Sequence, residues 1–271
     1  MVRKISGRPA VITGAASGIG RSLAQRLSRH GSPVAIADVN EIELEKTAAS
    51  LQGPVLSRVL DVRDAEDVRA FADEVRAWLD LPLAAVFNNA GVATSTTVLN
   101  SVAEDDSWLF DINYWGVVNG TRAFLPMLVK HNYGVVVNTS SVFGLCGMPK
   151  QSAYCAAKFA VRGFTDSLRQ ELRGTGVSAV AVHPGGIKTN IIRNGRIHAE
   201  LDENGRSLEQ IVSDFDRIAL TTPDKAAEII HRGVERGKAR VLVGPDAYVF
   251  DALARITPTH YYSIMARLFE R

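Results

Sequence analysis

The chain has 271 residues, enough for one large α/β domain or two small ones. Its 46% hydrophobic content is that of an ordinary globular protein, and 31 basic against 29 acidic residues leave a net charge of only +2. No basic stripe with interleaved aromatics appears, which argues against a nucleic-acid partner. The two cysteines, Cys146 and Cys155, lack metal-ligand or redox spacing, so no metal is expected.

The opening stretch MVRKISGRPAVITG holds no apolar segment followed by a small-residue cleavage site. No run reaches the roughly 20 apolar residues that a membrane span needs. A cytoplasmic protein is therefore expected. Apolar, β-rich runs then recur at Ala10–Thr13, 34–37, 55–60, 83–87, 135–138, 177–182 and 241–243. They are short, nearly continuous in apolar residues and bounded by turn signals, as strands buried on both faces are. Helical periodicity fills the gaps, for example Leu23 and Leu27, or Val68, Phe71, Val75 and Trp78. The alternation predicts an α/β fold of about seven strands in a parallel sheet, with helices on both faces. No linker or repeat interrupts it, so residues 1–271 are expected to form a single domain.

The first turn reads Thr13-Gly14-Ala15-Ala16-Ser17-Gly18-Ile19-Gly20. A helix starting near Ser17–Ile19 would present unpaired N–H groups and partial positive charge to a pyrophosphate. Gly14, Gly18 and Gly20 would let the chain turn tightly and approach a ligand closely. Read alone, the run also fits an ordinary strand–helix turn. Asp38 closes the second strand, where a carboxylate can accept the hydroxyls of an adenosine ribose. It would repel a 2′-phosphate by on the order of 4 kcal/mol at about 4 Å and an effective dielectric near 20. Neither Ser17 nor Val39 supplies an offsetting positive charge, so NAD is favoured over NADP. As an isolated residue Asp38 also fits a turn or helix cap.

Further along, Ser141 precedes a glycine turn, and Tyr154 and Lys158 lie one helical turn apart. A free tyrosine titrates near 10, so as a general base Tyr154 has to be shifted down by a few units. An ammonium at i+4 projects from the same face and favours the phenolate, and an oxidised nicotinamide adds positive charge. Ser141 can steer a substrate oxygen. A lone Tyr-x-x-x-Lys pair is common on solvated helix faces; the order strand, Ser, helix, Tyr, Lys behind a nucleotide turn is not. These residues together describe hydride transfer between NAD and an alcohol or ketone.

TGAASGIG at 13–20, Asp38, Asp61-Val62, NNAG at 88–91, Asn113, NTSS at 138–141, Tyr154 with Lys158, and PGGIKT at 184–189 stand in the order and spacing of a known family. Over about residues 8–190 the chain resembles the short-chain dehydrogenase/reductase family, in its single-domain branch. The resemblance implies a doubly wound Rossmann-type fold. It implies that Gly14, Ser17, Gly18, Ile19 and Gly20 hold the cofactor, that Asp61 and Val62 contact the adenine, and that Asn89 lies close to the cofactor. Asn113 would hold a water that links Lys158 to solvent. Ile187 and Thr189 would bind the nicotinamide carboxamide. Read without the family, Asn113 is a polar helix residue and Thr189 a loop or N-cap threonine. His183 departs from the asparagine common at that position and is read as structural.

Residues 190–222 leave the sixth strand at the edge where ligands bind and are expected to form a substrate lid. Its amphipathic helix, opened by a capping box of Ser207 and Gln210, would close Ile191, Ile192, Leu208, Ile211 and Phe215 over the substrate. Arg193, Arg196, Asp214 and Asp216 fit its solvated outer face. Val142, Phe143, Leu145 and Met148 add apolar surface near the catalytic groups. The substrate is thus expected to be uncharged and fairly hydrophobic: acyloin-like, fatty or steroid-like. The tail, 245–271, has two amphipathic stretches split by Pro258, read as a subunit interface or pocket wall in preference to a peripheral membrane contact. By analogy with the family, helices around 102–130 and 152–173 would form a homodimer or homotetramer. The weighed alternatives are a catalytically silent NAD(H)-sensing protein and a 3-oxoacyl-thioester reductase. The first should have lost Ser, Tyr or Lys. The second normally uses NADPH and needs basic residues near Ser17 or Val39.

Overall fold

The computed structural model describes residues 4–197 and 205–269, the side chains of Leu268 and Phe269 excepted. Seven parallel strands form one sheet: β1 (Ala10–Thr13), β2 (Val34–Asp38), β3 (Val55–Val59), β4 (Ala85–Asn88), β5 (Gly134–Thr139), β6 (Val177–Pro184) and β7 (Arg240–Val243). Their order is β3-β2-β1-β4-β5-β6-β7. Each predicted strand is present, with ends moved by a residue or two. The inner strands β1 and β4 are buried at every position, whereas the edge strand β3 is not. That is why the inner strands read as continuous apolar runs.

Helices α1 (Gly18–Arg29), α2 (Glu41–Ala49) and α8 (Pro223–Glu235) cover one face, where Leu23, Leu27, Leu44 and Ile230 meet β1, β2 and β6. On the other face lie α3 (Ala65–Trp78), α5 (Gly116–Lys130) and α6 (Ser152–Glu171), with Phe71, Val75, Phe124 and Leu168 in the core. Phe71 and Phe124 meet edge to face with ring centres 5.8 Å apart. Burying each such side chain contributes about 1.5–3 kcal/mol. The remaining helices are α4 (Ala103–Phe110), α7 (Leu208–Ile218), α9 (Pro245–Ile256) and α10 (Tyr261–Phe269).

The order reverses between β1 and β4. In open α/β sheets ligands lodge outside the carboxyl ends of strands at such a switch point. Gly14 leaves β1 and Asn89 leaves β4 at that place. α4 and α5 are joined without a break by a π-turn, Asp111–Trp115, in which the Gly116 N–H reaches back five residues to the Asp111 carbonyl. Asn113 sits in this turn, which the helical periodicity gave no reason to expect.

Candidate active site

The turn after β1 is built as a cradle. Gly14 and Gly18 take left-handed backbone angles, φ +67° and +52°, which a side chain would strain. Ser17 opens α1 without a side-chain cap, and the first helical turn holds no acid. The N–H groups that Asn40, Asp64, Ser207 and Thr222 cap in α2, α3, α7 and α8 thus stay open in α1, as an anionic group requires. A Cβ on Gly18 would come within 2.9 Å of the Thr189 methyl, so the turn and the segment after β6 face each other across a gap that glycine keeps. At Gly20 the bare backbone also serves packing. A Cβ there would lie 2.0 Å from the Gly14 carbonyl oxygen, so its bareness lets α1 pack on its own turn. Asn89 braces this turn by donating from Nδ2 to the Thr13 and Gly14 carbonyls, both at 3.3 Å. The residues present therefore fit a dinucleotide.

Asp38, at the end of β2, accepts the Ala16 N–H at 2.9 Å and the Asn40 N–H at 3.0 Å. Its carboxylate is thereby fixed beside the glycine turn. The nearest turn cation, Arg21, is held by Glu43 at 2.6 Å. The Asp61 carboxylate is engaged by the Arg63 guanidinium, whose hydrogen bonds hold it below the usual carboxylate range. Val62 is buried against Gly116, and its carbonyl accepts from Asn119 Nδ2 at 3.0 Å.

At the carboxyl end of β5, Ser141, Tyr154, Lys158 and Asn113 come together. All four are buried. Ser141 Oγ caps the short turn that follows by accepting the Phe143 N–H at 3.1 Å. Lys158 Nζ lies 5.6 Å from the Tyr154 ring centre and donates to the Thr139 carbonyl at 3.1 Å. Asn113 clasps Val92: Oδ1 accepts its N–H at 2.9 Å and Nδ2 donates to its carbonyl at 2.8 Å. A Cβ on the adjacent Gly91 would touch both Asn113 Oδ1, at 2.9 Å, and Lys158 Nζ, at 3.4 Å. The π-turn interrupts the regular helical ladder here and leaves backbone groups open to other partners. The Asn113 side chain is thus committed to the main chain of Val92.

The expected downward shift of Tyr154 is not met by this chain alone. Burial pushes the phenol up to about 12, against a smaller downward pull from its hydrogen bond with Ser141. Burial also pulls the Lys158 ammonium down to about 8. Two desolvated groups each resist charging.

Two supports were not legible in the sequence. The buried His183 ring meets the Ser141 carbonyl through Nδ1 at 3.0 Å; to donate there, Nδ1 must carry the proton. Its Nε2 is buried without a partner, and burial pulls the imidazole down to about 4. Beneath the site, Asn88 Nδ2 donates to Asn138 Oδ1 at 2.8 Å, and Asn138 Nδ2 to Thr165 Oγ1 at 3.0 Å, tying β4, β5 and α6. Both cysteines are buried, and burial pushes their thiols up, Cys146 to about 12, so neither is a nucleophile.

The segment expected as a lid, 190–222, is held at its base. Ile187 is buried, and the Lys188 N–H bonds the Thr221 carbonyl at 2.9 Å, so both ends of the lid are clasped. Ile191 and Ile192 pack with Val92, Trp108, Phe143 and Tyr154. The capping box of α7 is present, with Ser207 N–H to Gln210 Oε1 at 2.8 Å. In α7, Ile211 and Phe215 are half-buried and Leu208 is exposed. Arg196 is exposed, as expected with Arg193 and Asp216, and it also reaches Asp105 at 2.7 Å and lies over the Trp108 ring at 4.2 Å, tying this segment to α4. Residues 198–204 of the lid and the side chains of Leu268 and Phe269 lie outside the described residues.

Residues 8–199 match the family model described as short chain dehydrogenase. A Mycobacterium tuberculosis protein named as an oxidoreductase, SadH, is 46% identical over 266 residues, spanning 96% of this chain and 94% of that one. A solved short-chain dehydrogenase/reductase from Burkholderia phymatum, in complex with NAD, superposes with a TM-score of 0.81 at 29% identity, covering 93% of this chain and 94% of that one. A short-chain dehydrogenase from Sphingobium yanoikuyae, in complex with NADPH, gives 0.72 at 26% identity over 87% of each chain. The fold and site define an oxidoreductase with a nicotinamide-dinucleotide-binding fold. The chain belongs to the short-chain dehydrogenase/reductase family.

Proposed function

We propose that this oxidoreductase moves a hydride between NAD(H) and a secondary alcohol or ketone, with Tyr154 as general acid and base. The observation that carries the reading is the buried set of Ser141, Tyr154 and Lys158 at the end of β5, beside an uncapped helix N-terminus. When bound, the nicotinamide takes up or gives the hydride, and its oxidised ring brings positive charge to the site. Ser141 orients the substrate oxygen. In reduction, Tyr154 donates its phenolic proton to that oxygen. In oxidation, its phenolate takes the hydroxyl proton as the C–H hydride departs. Lys158, with a value near 8, can refill or drain the tyrosine at physiological pH.

Asp38 supports NAD: its carboxylate is held beside the glycine turn and would repel a 2′-phosphate bound there. Its neighbour Val39 is 63% exposed and uncharged. The same features disfavour a 3-oxoacyl-thioester reductase. Retention of the complete Ser/Tyr/Lys set disfavours a silent sensor. Val92, Trp108, Phe143, Ile191 and Ile192 around Tyr154 favour a hydrophobic, uncharged substrate. We further propose a cytoplasmic homodimer or homotetramer joined through the helices at 103–130 and 152–171, where Trp115 and Phe159 are 45% and 41% exposed. Among the described residues no helix is long and apolar enough to cross a membrane.

The test is NADH formation against secondary alcohols graded from acetoin-sized to steroid-sized, with NADP in parallel. NAD-linked turnover that rises with hydrophobic size is expected. Silence across the panel in a protein that binds NADH would defeat the reading.

A further inference from the structure

Between Ser141 and Tyr154 the chain passes through a loop, 142–151, that carries Phe143, whose ring packs against that of Tyr154. Its inner half is packed: Val142, Leu145 and Cys146 are buried. Its outer half is exposed at Gly147, and Lys150 adopts a left-handed φ of +63°. At the far end of that half the Thr96 N–H bonds the Lys150 carbonyl at 3.0 Å, and its tip at Gly147 is held from far along the chain. The Tyr261 hydroxyl of α10 accepts the Gly147 N–H and donates to the Gly147 carbonyl, both at 2.9 Å. One turn further on, Met265 is only 2% exposed, so α10 is seated and not merely passing. A second contact lies closer to the chemistry. Phe143 meets the Tyr154 ring edge to face at 6.2 Å on one side and the Phe250 ring of α9 at 6.2 Å on the other.

We infer that the C-terminal tail is a wall of the substrate site: Phe250 sets how far Phe143 stands from Tyr154, and Tyr261 positions the loop that carries Phe143. The ligand class is the apolar secondary alcohol or ketone of the dehydrogenase reading, on which this inference rests. Phe143 is half-buried between two rings, so its place depends on both. Removing Phe250 lets it retreat and enlarges the space before the phenol. Losing the Tyr261 hydroxyl frees the loop at Gly147 and loosens Phe143 for every ligand, large or small. Tyr261 touches neither cofactor site nor reacting atoms; it acts through the loop.

The experiment measures two things on the same graded panel: binding of the ketones to the protein–NADH complex, and turnover of the alcohols. Phe250→Ala is expected to raise the preference for the largest over the smallest member by about tenfold or more. Tyr261→Phe is expected to raise KM across the panel by about tenfold, the worth of two ordinary hydrogen bonds, with kcat much less affected. It should also speed hydrogen exchange at the Gly147 amide. NADH affinity serves as the control for folding in both, and Phe250→Leu is the milder variant if alanine unfolds the tail. Wild-type size preference in the Phe250 variants together with wild-type KM in Tyr261→Phe would overturn the wall. Binding that still ranks ligands through Phe250, in a protein that turns none of them over, would overturn the dehydrogenase reading and leave the wall standing.

Discussion

Tyr154 and Lys158 are buried together, and burial moves both toward their neutral forms: the phenol up to about 12, the ammonium down to about 8. The free protein therefore holds a protonated tyrosine, ready to act as an acid. Oxidation needs the opposite state. The rate of alcohol oxidation is expected to climb with pH through the neutral and alkaline range, while ketone reduction does not climb. Initial rates in both directions across pH would check this; oxidation that falls as pH rises would contradict it. The pair was legible from its spacing because i and i+4 side chains share a helix face. The sense of the tyrosine shift was not, because spacing carries no information about desolvation. His183 reads as structural from its place at a strand end, but nothing local indicates that its imidazole turns toward a carbonyl 42 positions earlier.

At the scale of elements, strands and the glycine turn were readable because both depend on local chemistry. Buried parallel strands must be apolar throughout, and positive φ demands glycine. The π-turn at Asp111–Trp115 and the seat of α10 were not, since each arises from contacts distant in sequence. The lid lies between these cases. Its capping box and amphipathic pattern predict α7 correctly, yet the pattern cannot say how deeply the apolar face is packed, and here Ile211 and Phe215 are only half-buried. Arg196 fixes the lid at its other limb through Asp105 and Trp108. The bridge is partly exposed and a cation over an indole is modest, so together they are worth about 1 kcal/mol. Arg196→Ala is accordingly expected to raise KM for the alcohol several-fold with little change in NADH affinity. Steady-state kinetics beside NADH titration would show it; equal loss of both would place Arg196 outside the lid's control.

For the molecule as a whole, one sheet order, β3-β2-β1-β4-β5-β6-β7, brings the glycine turn and the Ser/Tyr/Lys set to the same edge. Strand–helix alternation with right-handed crossovers is compatible with that order among others. The same burial that shapes the site sets a stability limit. His183 is pulled from 6.5 to about 4 in the folded protein. As pH falls, the unfolded chain takes up this proton first, so stability present above pH 6.5 is lost progressively down to about pH 4. The gap corresponds to about 3 kcal/mol. His183→Asn, which keeps a donor for the Ser141 carbonyl but does not titrate in this range, is expected to flatten that acid slope in denaturant titrations at several pH values. An unchanged slope would show that other groups govern acid unfolding.

The central claim is that a buried tyrosine moves the proton while the chain holds the dinucleotide independently. Tyr154→Phe tests it most directly, with NADH binding and turnover of the best alcohol measured on the same preparation. The account predicts NADH affinity close to wild type and turnover lost by several orders of magnitude. Wild-type turnover in the phenylalanine variant would contradict it.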